Sequence, residues 1–185
     1  MTCIIAYKDI NNNNTIHMCG DKCGSNGNTQ DICVEPKVFH NGDFMIGYTT
    51  SFYMGQLLKH IWNPPARLED ETTDSYLHNS VRKSLISMFK ENNFGSHSDG
   101  YEIGTFILVY KSRIFTIHSD MQFFENKYLT AVGCGDVAAR AAVETYIKCG
   151  FTDVESMLRS SIETVSKICC GVSKECDIVD NKQYK

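Results

Sequence analysis

Apolar and polar residues follow two different periods along the chain, and the change of period separates strands from helices. Two β-rich runs, "TCIIAYKD" and "TIHMCGD", flank the cluster "INNNN", whose asparagines tolerate the left-handed backbone of tight turns. The stretch "KVFHNGDFMIGYTT" repeats this arrangement around "NG", a strong signal for a short hairpin turn. The first fifty residues therefore predict an antiparallel meander.

After the second hairpin the apolar positions take the spacing of a helix. One stripe runs over residues 54–62 and stops at "NPP", and a second covers about residues 74–90. Further on, "IGTFILVY" and "RIFTIHSD" predict another hairpin, and "KYLTAVGCG" predicts a strand that ends in glycines. An Ala-rich helix with Asp136 as its N-cap, a helix over residues 153–167 and a strand at "CDIVD" complete the pattern.

The order of these elements indicates the fold class. Strands come first, then two helices, more strands, two further helices and a last strand, so the helices cluster instead of alternating singly with strands. This order argues against a parallel doubly wound sheet and favours an α+β fold with two antiparallel sheets between paired helix layers. We find no internal repeat and no linker, so residues 1–185 are expected to form a single domain.

Composition and charge exclude several classes of function. The 185 residues are 42% hydrophobic and 22% charged, values typical of a globular protein. The formal net charge of -4 gives no reason to expect nucleic-acid binding. No apolar run approaches the ~20 residues of a membrane span, and no signal-peptide pattern is found. The expected location is therefore the cytoplasm, with no membrane partner.

The nine cysteines are many for a chain of this length. Without a signal peptide they are expected to be reduced thiols. Cys19 and Cys23 in "CGDKCG" have a spacing that suits zinc weakly, but Cys169, Cys170 and Cys176 do not complete a zinc-binding pattern. We therefore favour thiols packed in the core over a metal site, and we expect no metal and no cofactor.

The strongest candidates for catalytic residues lie near the start of the sequence. Thr2 follows Met1, and removal of Met1 would leave one residue with both a free α-amine and a hydroxyl. The amine titrates near ~8, so it can be the base that a threonine hydroxyl needs before it attacks a carbonyl. Asp21 ends the second predicted strand and Lys37 begins the third, so both are expected near Thr2. Each residue taken singly also has an interpretation without chemistry: Thr2 as simply the second residue, Asp21 as a turn residue and Lys37 as a surface lysine.

Together these segments resemble a known family. "TCIIAYKD", "IHMCGDKCGSNGN", "PKVF" and "DFMIGYTTSFYMGQLL" are similar to the N-terminal half of proteasome β-type subunits, and above all to the bacterial peptidase HslV. In the second half, "YLTAVGCGDVAARAAVETYI" resembles the strand, Gly-x-Gly and helix segment of that family, and "SSIETVSKICCG" resembles its next helix and apolar stretch. The resemblance implies an N-terminal-nucleophile hydrolase fold, a four-layer α-β-β-α sandwich of antiparallel sheets.

The resemblance also implies roles for five residues. Thr2 matches the nucleophile, Asp21 the acidic partner and Lys37 the lysine that tunes the nucleophile. Gly47 matches the glycine whose N–H stabilises the oxyanion, a contact worth roughly 3 kcal/mol of barrier in acyl transfer. Cys134 stands in Gly-Cys-Gly where the family commonly has Gly-Ser-Gly, and its proton-relay role is weakened because a thiol is a poorer hydrogen-bond donor than a hydroxyl.

These matches predict a threonine-type peptidase that becomes active when Met1 is removed. The family implies a self-compartmentalised ring of identical subunits, polypeptide substrates and an ATP-dependent unfoldase ring as partner. The chain itself has no phosphate-binding motif of the G-x-x-x-x-G-K kind. Two alternatives stay open: a catalytically inactive assembly or binding protein that retains Met1, and an N-terminal-nucleophile amidohydrolase that acts on a small amide.

Overall fold

The computed structural model describes residues 2–25, 29–95 and 102–182, which form antiparallel sheets and helices. The strands are β1 (Cys3–Asp9), β2 (Thr15–Asp21), β3 (Cys23–Ser25), β4 (Gln30–Ile32), β5 (Val38–Asn41), β6 (Phe44–Tyr48), β7 (Phe106–Tyr110), β8 (Arg113–Ile117), β9 (Phe123–Asn126), β10 (Leu129–Gly133) and β11 (Cys176–Asp180). The helices are α1 (Phe52–Gln56), α2 (Thr73–Ser75), α3 (Arg82–Glu91), α4 (Asp136–Lys148) and α5 (Val154–Ser166), with π-helical turns at Leu57–Ile61 and Tyr76–Val81.

The strands pair in two main sheets, and the pairings within them are antiparallel. One sheet has the order β10-β1-β2-β11 and the other the order β5-β6-β7-β8-β9, while β3 and β4 form a short pair of their own. The expected mixture of helices with antiparallel sheets is therefore confirmed.

The two hairpins predicted for the N-terminal region are present, but they do not form one meander. The Asn cluster joins β1 to β2, and Asn13 and Asn14 adopt positive φ values of 51° and 54° there. The "NG" turn joins β5 to β6, with Gly42 at a φ of 55°. The first hairpin lies in the four-stranded sheet and the second in the five-stranded sheet. The meander prediction was wrong because local periodicity specifies a turn, not the sheet that a hairpin joins.

Strand β1 is apolar from Cys3 to Tyr7 because both of its faces are buried. Side chains alternate between the two faces of a strand, so residues on each face pack in a core. Ile4 and Ala6 pack in a core shared with Met45 of β6, between the two main sheets. Cys3 and Ile5 pack on the opposite face, in a core that includes side chains from α4 and α5. A third core covers the other face of the five-stranded sheet with α1, α3 and the π-helical turns.

The two apolar stripes after residue 50 both form helices, and each contains a π-helical turn. Helix α1 continues into Leu57–Ile61, and the extended backbone of Trp62 ends it just before Pro64 and Pro65. Met54 and Trp62 are buried in the core that α1 and α3 share. Within the three described ranges, no helix is long and apolar enough to cross a bilayer.

Two details of the second half differ from the sequence-based expectation. Strand β9 was not predicted, because only its first residue, Phe123, is buried while Phe124 is exposed, so its apolar pattern is short. The prediction of Asp136 as the N-cap of α4 was wrong by one position. Gly135 is the N-cap, and the Asp136 carboxylate accepts a hydrogen bond from the N–H of Val137 at 2.7 Å, inside the first turn.

Candidate active site

The β1–β2 hairpin places the start of β1 beside the end of β2. Thr2 directly precedes β1 and Asp21 is the last residue of β2, so antiparallel pairing makes them neighbours. Lys37 directly precedes β5, and its side chain extends to the same point. The exposed fractions of Thr2, Asp21 and Lys37 are 5%, 0% and 2%. The structure therefore brings together, in a buried site, the three residues that the sequence analysis singled out.

The amine of Lys37 lies at the centre of this site. Its Nζ donates hydrogen bonds to Thr2 Oγ1 at 2.8 Å, to Asp21 Oδ1 at 3.0 Å and to the backbone carbonyl of Cys23 at 2.6 Å. A protonated amine has three hydrogens and no lone pair, so three oxygen acceptors fit the ammonium form. Lys37 is thus placed to stabilise negative charge on Thr2 Oγ1 and not to accept a proton from it.

Asp21 is held by three backbone amides in addition to Lys37. Its Oδ1 accepts from the N–H of Cys3 at 2.8 Å, and its Oδ2 accepts from the N–H groups of Cys23 at 2.8 Å and Ser173 at 3.2 Å. Such charge-assisted hydrogen bonds stabilise an ionised carboxylate in a buried place. Because Cys3 follows Thr2, Asp21 also fixes the backbone that carries the Thr2 side chain.

Sequence analysis did not predict the main-chain contacts that Cys23 and Ser173 make with Asp21 and Lys37. Both contribute main-chain groups: Cys23 gives a carbonyl and an N–H, and Ser173 gives an N–H. Ser173 also accepts a hydrogen bond from the N–H of Lys22 through its Oγ at 3.0 Å. Main-chain contacts are available to almost any residue type, so no side-chain motif could have marked them.

Gly133 packs closely against the main chain of Thr2. It pairs with Cys3 across β10 and β1, and its φ is 102°. A Cβ atom built on Gly133 would overlap the carbonyl oxygen of Thr2, so a glycine is required for this close approach.

Cys134 follows Gly133 and contacts the same carbonyl. Its Sγ donates to the Thr2 carbonyl oxygen at 3.5 Å, and the Sγ of Cys169 donates to Cys134 Sγ at 3.3 Å. Burial, together with the hydrogen bond with Cys169, raises the pKa of Cys134 to about 11. The thiol is therefore neutral at ordinary pH, and the structure places it against the main chain of Thr2. Cys169 was not predicted as part of this site.

The structure does not favour the oxyanion role expected for Gly47. Gly47 lies inside β6, opposite Val38 on one side and Ile107 on the other. Hydrogen bonds alternate along an antiparallel ladder, and the bond from Thr49 N–H to the Thr105 carbonyl sets the phase on the β7 side. The N–H of Gly47, two residues earlier, is therefore directed to Ile107 within the sheet.

Gly47 instead permits close packing between the two sheets. A Cβ there would lie 2.5 Å from Met18 Sδ and 2.6 Å from Ile4 Cγ2. We expect Gly47→Ala to lower the free energy of unfolding by about 1–3 kcal/mol, the usual cost of overpacking a core. Urea denaturation followed by circular dichroism measures this change. A loss below about 0.5 kcal/mol, the size of an ordinary surface effect, would contradict the tight packing.

Thr50, just beyond β6, has a more unusual backbone conformation than Gly47. Its φ is 70°, a left-handed value that is strained for a β-branched residue, and strain of this kind concentrates at functional sites. Among the described residues, the N–H of Thr50 makes no hydrogen bond. Thr49, Thr50 and Gly133 line one cavity of about 600 Å³, which also reaches His118 and Arg140. The cavity thus opens beside the backbone that positions Thr2.

The described residues contain no cluster of three or more histidine, cysteine or acidic side chains that could hold a metal ion. Cys19 and Cys23, the pair with a weak zinc-like spacing, are buried thiols. The side chains that meet at the site are the hydroxyl of Thr2, the amine of Lys37 and the carboxylate of Asp21.

No protein-family model matches the chain, and no curated protein sequence matches it. Solved structures do match it. Thiobacillus denitrificans BPH has a TM-score of 0.79 at 16% identity, and its complex with epoxomicin has a TM-score of 0.76 at 17% identity, each covering 97% of both chains. Eukaryotic HslV from Trypanosoma brucei has a TM-score of 0.69 at 18% identity, covering 97% of this chain and 98% of that one.

A fourth similar structure is the helical assembly of the Anbu complex from Pseudomonas aeruginosa. Its TM-score is 0.64 at 11% identity, and the match covers 97% of this chain and 80% of that one. At such identities the similarity shows the fold and not the chemistry. The chain has an HslV/proteasome β-like fold.

Proposed function

We propose that this protein is a threonine-type peptidase subunit in which Thr2 is the nucleophile after removal of Met1. The observation that carries the proposal is the buried contact of 2.8 Å between Thr2 Oγ1 and Lys37 Nζ, with Asp21 on the far side of the amine. The HslV/proteasome β-like fold supports it. We infer that the three cores correspond to the four-layer α-β-β-α sandwich of a single domain.

The proposed reaction uses the α-amine of Thr2 as its base. The amine takes the hydroxyl proton as Oγ1 attacks the carbonyl carbon of a peptide bond, and it then gives that proton to the leaving amine. The peptide C–N bond breaks, and the acyl group remains on Oγ1 as an ester. Water, deprotonated by the same amine, then attacks the ester carbonyl. The bond between the acyl carbon and Oγ1 breaks, the amine returns the proton to Oγ1, and the acid is released. Lys37 stays an ammonium throughout, and its charge favours the anionic form of Oγ1.

We assign the oxyanion contact to the N–H of Thr50 in place of Gly47. The N–H of Gly47 is used within the sheet, whereas that of Thr50 has no hydrogen-bond partner among the described residues and belongs to a strained residue at the cavity. One donor of this kind lowers an acyl-transfer barrier by about 3 kcal/mol. Cys134 is proposed as a positioning residue, because its thiol holds the carbonyl of Thr2.

The proposed assembly is a ring of identical subunits in the cytoplasm, with the active sites inside. Polypeptide substrates would be delivered by an ATP-dependent unfoldase ring. The sequence resemblance supports this arrangement, and one structural neighbour, the Anbu complex, is described as a helical assembly.

The test compares chains whose N-termini are verified by intact mass. We expect the trimmed wild type to hydrolyse fluorogenic peptides, and trimmed Thr2→Ala to lose at least about 10³-fold in rate, as removal of a nucleophile does. A chain that keeps Met1 should be inactive, because an acylated amine is not basic. The matched control is Thr145→Ala, which removes an exposed hydroxyl that only bonds the Ala141 carbonyl in α4 and should leave the rate unchanged.

Covalent probes separate the alternatives. A peptidyl vinyl sulfone should add once to trimmed wild type and not to Thr2→Ala, and epoxomicin, which is bound to BPH in one similar structure, serves as a second probe. Equal residual hydrolysis by wild type and Thr2→Ala, with no adduct, would favour the non-catalytic subunit. Turnover of small amides with no cleavage of peptides would favour the amidohydrolase.

A further inference from the structure

The site contains a pair of thiols that the proposed reaction does not use as a pair. Cys134 follows β10 and Cys169 follows α5, and their sulfur atoms are 3.3 Å apart. Both are free thiols; Cys134 is exposed and Cys169 is partly exposed. A disulfide has an S–S length of about 2.05 Å, so the two sulfurs need to approach by only about 1.2 Å.

We propose that Cys134 and Cys169 form a thiol-oxidation site, in which a hydroperoxide such as hydrogen peroxide converts the two thiols to a disulfide beside Thr2. In the first step one sulfur, as the thiolate, attacks a peroxide oxygen; the O–O bond breaks, hydroxide leaves, and a sulfenic acid forms. In the second step the other sulfur attacks the sulfenic sulfur, the S–S bond forms and water leaves. In total, the two thiols lose two electrons and two protons, and one hydrogen peroxide takes them up and becomes two waters.

The hydrogen-bond geometry already holds the two sulfurs together. The thiol of Cys134 lies between the Thr2 carbonyl, to which it donates, and Cys169, which donates to it at 3.3 Å. Whichever sulfur is oxidised first, the other therefore lies next to the sulfenic acid that it must attack.

Oxidation would reach Thr2 through the Gly133–Gly135 backbone. A Cβ built on Gly135 would lie 2.6 Å from Val165 Cγ1 of α5 and 3.1 Å from Cys3 Cβ, so this loop is packed tightly between α5 and the start of β1. Closing the disulfide pulls the loop toward the end of α5 and removes the hydrogen that Cys134 donates to the Thr2 carbonyl. We expect the oxidised form to react several-fold more slowly at Thr2; this consequence rests on the proposed function, whereas the disulfide does not.

The first experiment detects the bond itself. The full chain is treated with equimolar hydrogen peroxide, remaining thiols are blocked with N-ethylmaleimide, and the digest is analysed by mass spectrometry. We expect a peptide pair linked through Cys134 and Cys169 that dithiothreitol releases. Cys134→Ser and Cys169→Ser should each abolish it. The matched controls Cys149→Ser and Cys170→Ser remove exposed thiols and should retain it.

Two results would overturn the site: a bridge that uses Cys170 in place of Cys169, or oxidation of the separate thiols to sulfinic acids with no bridge. The second experiment compares the rate of vinyl sulfone addition to Thr2 in the oxidised, reduced and re-reduced protein. Slower addition that dithiothreitol restores supports the coupling, and an unchanged rate with the bridge present overturns it. If reduced protein does not react at all, the proposed function fails and the coupling fails with it, while the mapped bridge stands on its own result.

Discussion

Lys37→Met is expected to abolish the proposed peptide hydrolysis and to lower the free energy of unfolding by about 3–5 kcal/mol, the usual cost of removing one partner of a buried ion pair. Asp21 has no exposed surface, and the mutation removes the cation that lies 3.0 Å from its Oδ1. The same change removes the donor to Thr2 Oγ1. Urea denaturation and hydrolysis of a fluorogenic peptide measure the two effects.

Lys167→Met is the matched control for this mutation. Lys167 also forms an ion pair with a carboxylate, Glu163, but both side chains are more than half exposed, so its loss should cost no more than about 1 kcal/mol. The double mutant Asp21→Asn/Lys37→Met should be less destabilised than the sum of the single mutants, since neither charge is then left alone. If Lys37→Met and Lys167→Met cost the same, the Lys37 amine does not neutralise a buried charge.

Gly133→Ala is expected to displace Thr2 and to stop its reaction with a vinyl sulfone. The alanine would have a left-handed φ of 102°, and its Cβ would overlap the carbonyl oxygen of Thr2. Strain of the first kind costs about 1–2 kcal/mol, and overpacking against a fixed backbone adds typically about 1–3 kcal/mol. Urea denaturation and the rate of adduct formation test the two parts.

Gly150 provides a control that separates strain from overlap. Its φ is 75°, but a Cβ at this position would meet no atom within 4 Å. Gly150→Ala should therefore show only the strain cost and should leave the reaction of Thr2 unchanged. Equal destabilisation by the two alanines, with Thr2 still reactive in both, would show that Gly133 does not position Thr2.

The sequence by itself determined the local elements and the immediate surroundings of Thr2. Asn13, Asn14 and Gly42 take the left-handed turn conformations that their residue types favour, so both N-terminal hairpins were predictable. The β1–β2 hairpin alone places Asp21 beside Thr2, because antiparallel pairing brings the end of one strand to the start of the other. The helices were predictable from the spacing of apolar residues such as Met54 and Leu58, which face one core.

Only the tertiary structure decided how the two hairpins divide between sheets and which groups complete the site. The spacing of apolar residues shows which face of an element is buried but not which element packs against it. The local sequence therefore did not indicate that β1–β2 and β5–β6 lie in different sheets. The amide of Ser173 donates to Asp21 although the two residues are 152 positions apart in the sequence. Cys169, just after α5, likewise contacts Cys134 from a distant part of the sequence. Such contacts depend on where distant segments pack. Main-chain donors are common to nearly all residue types, so the residues on either side do not identify them.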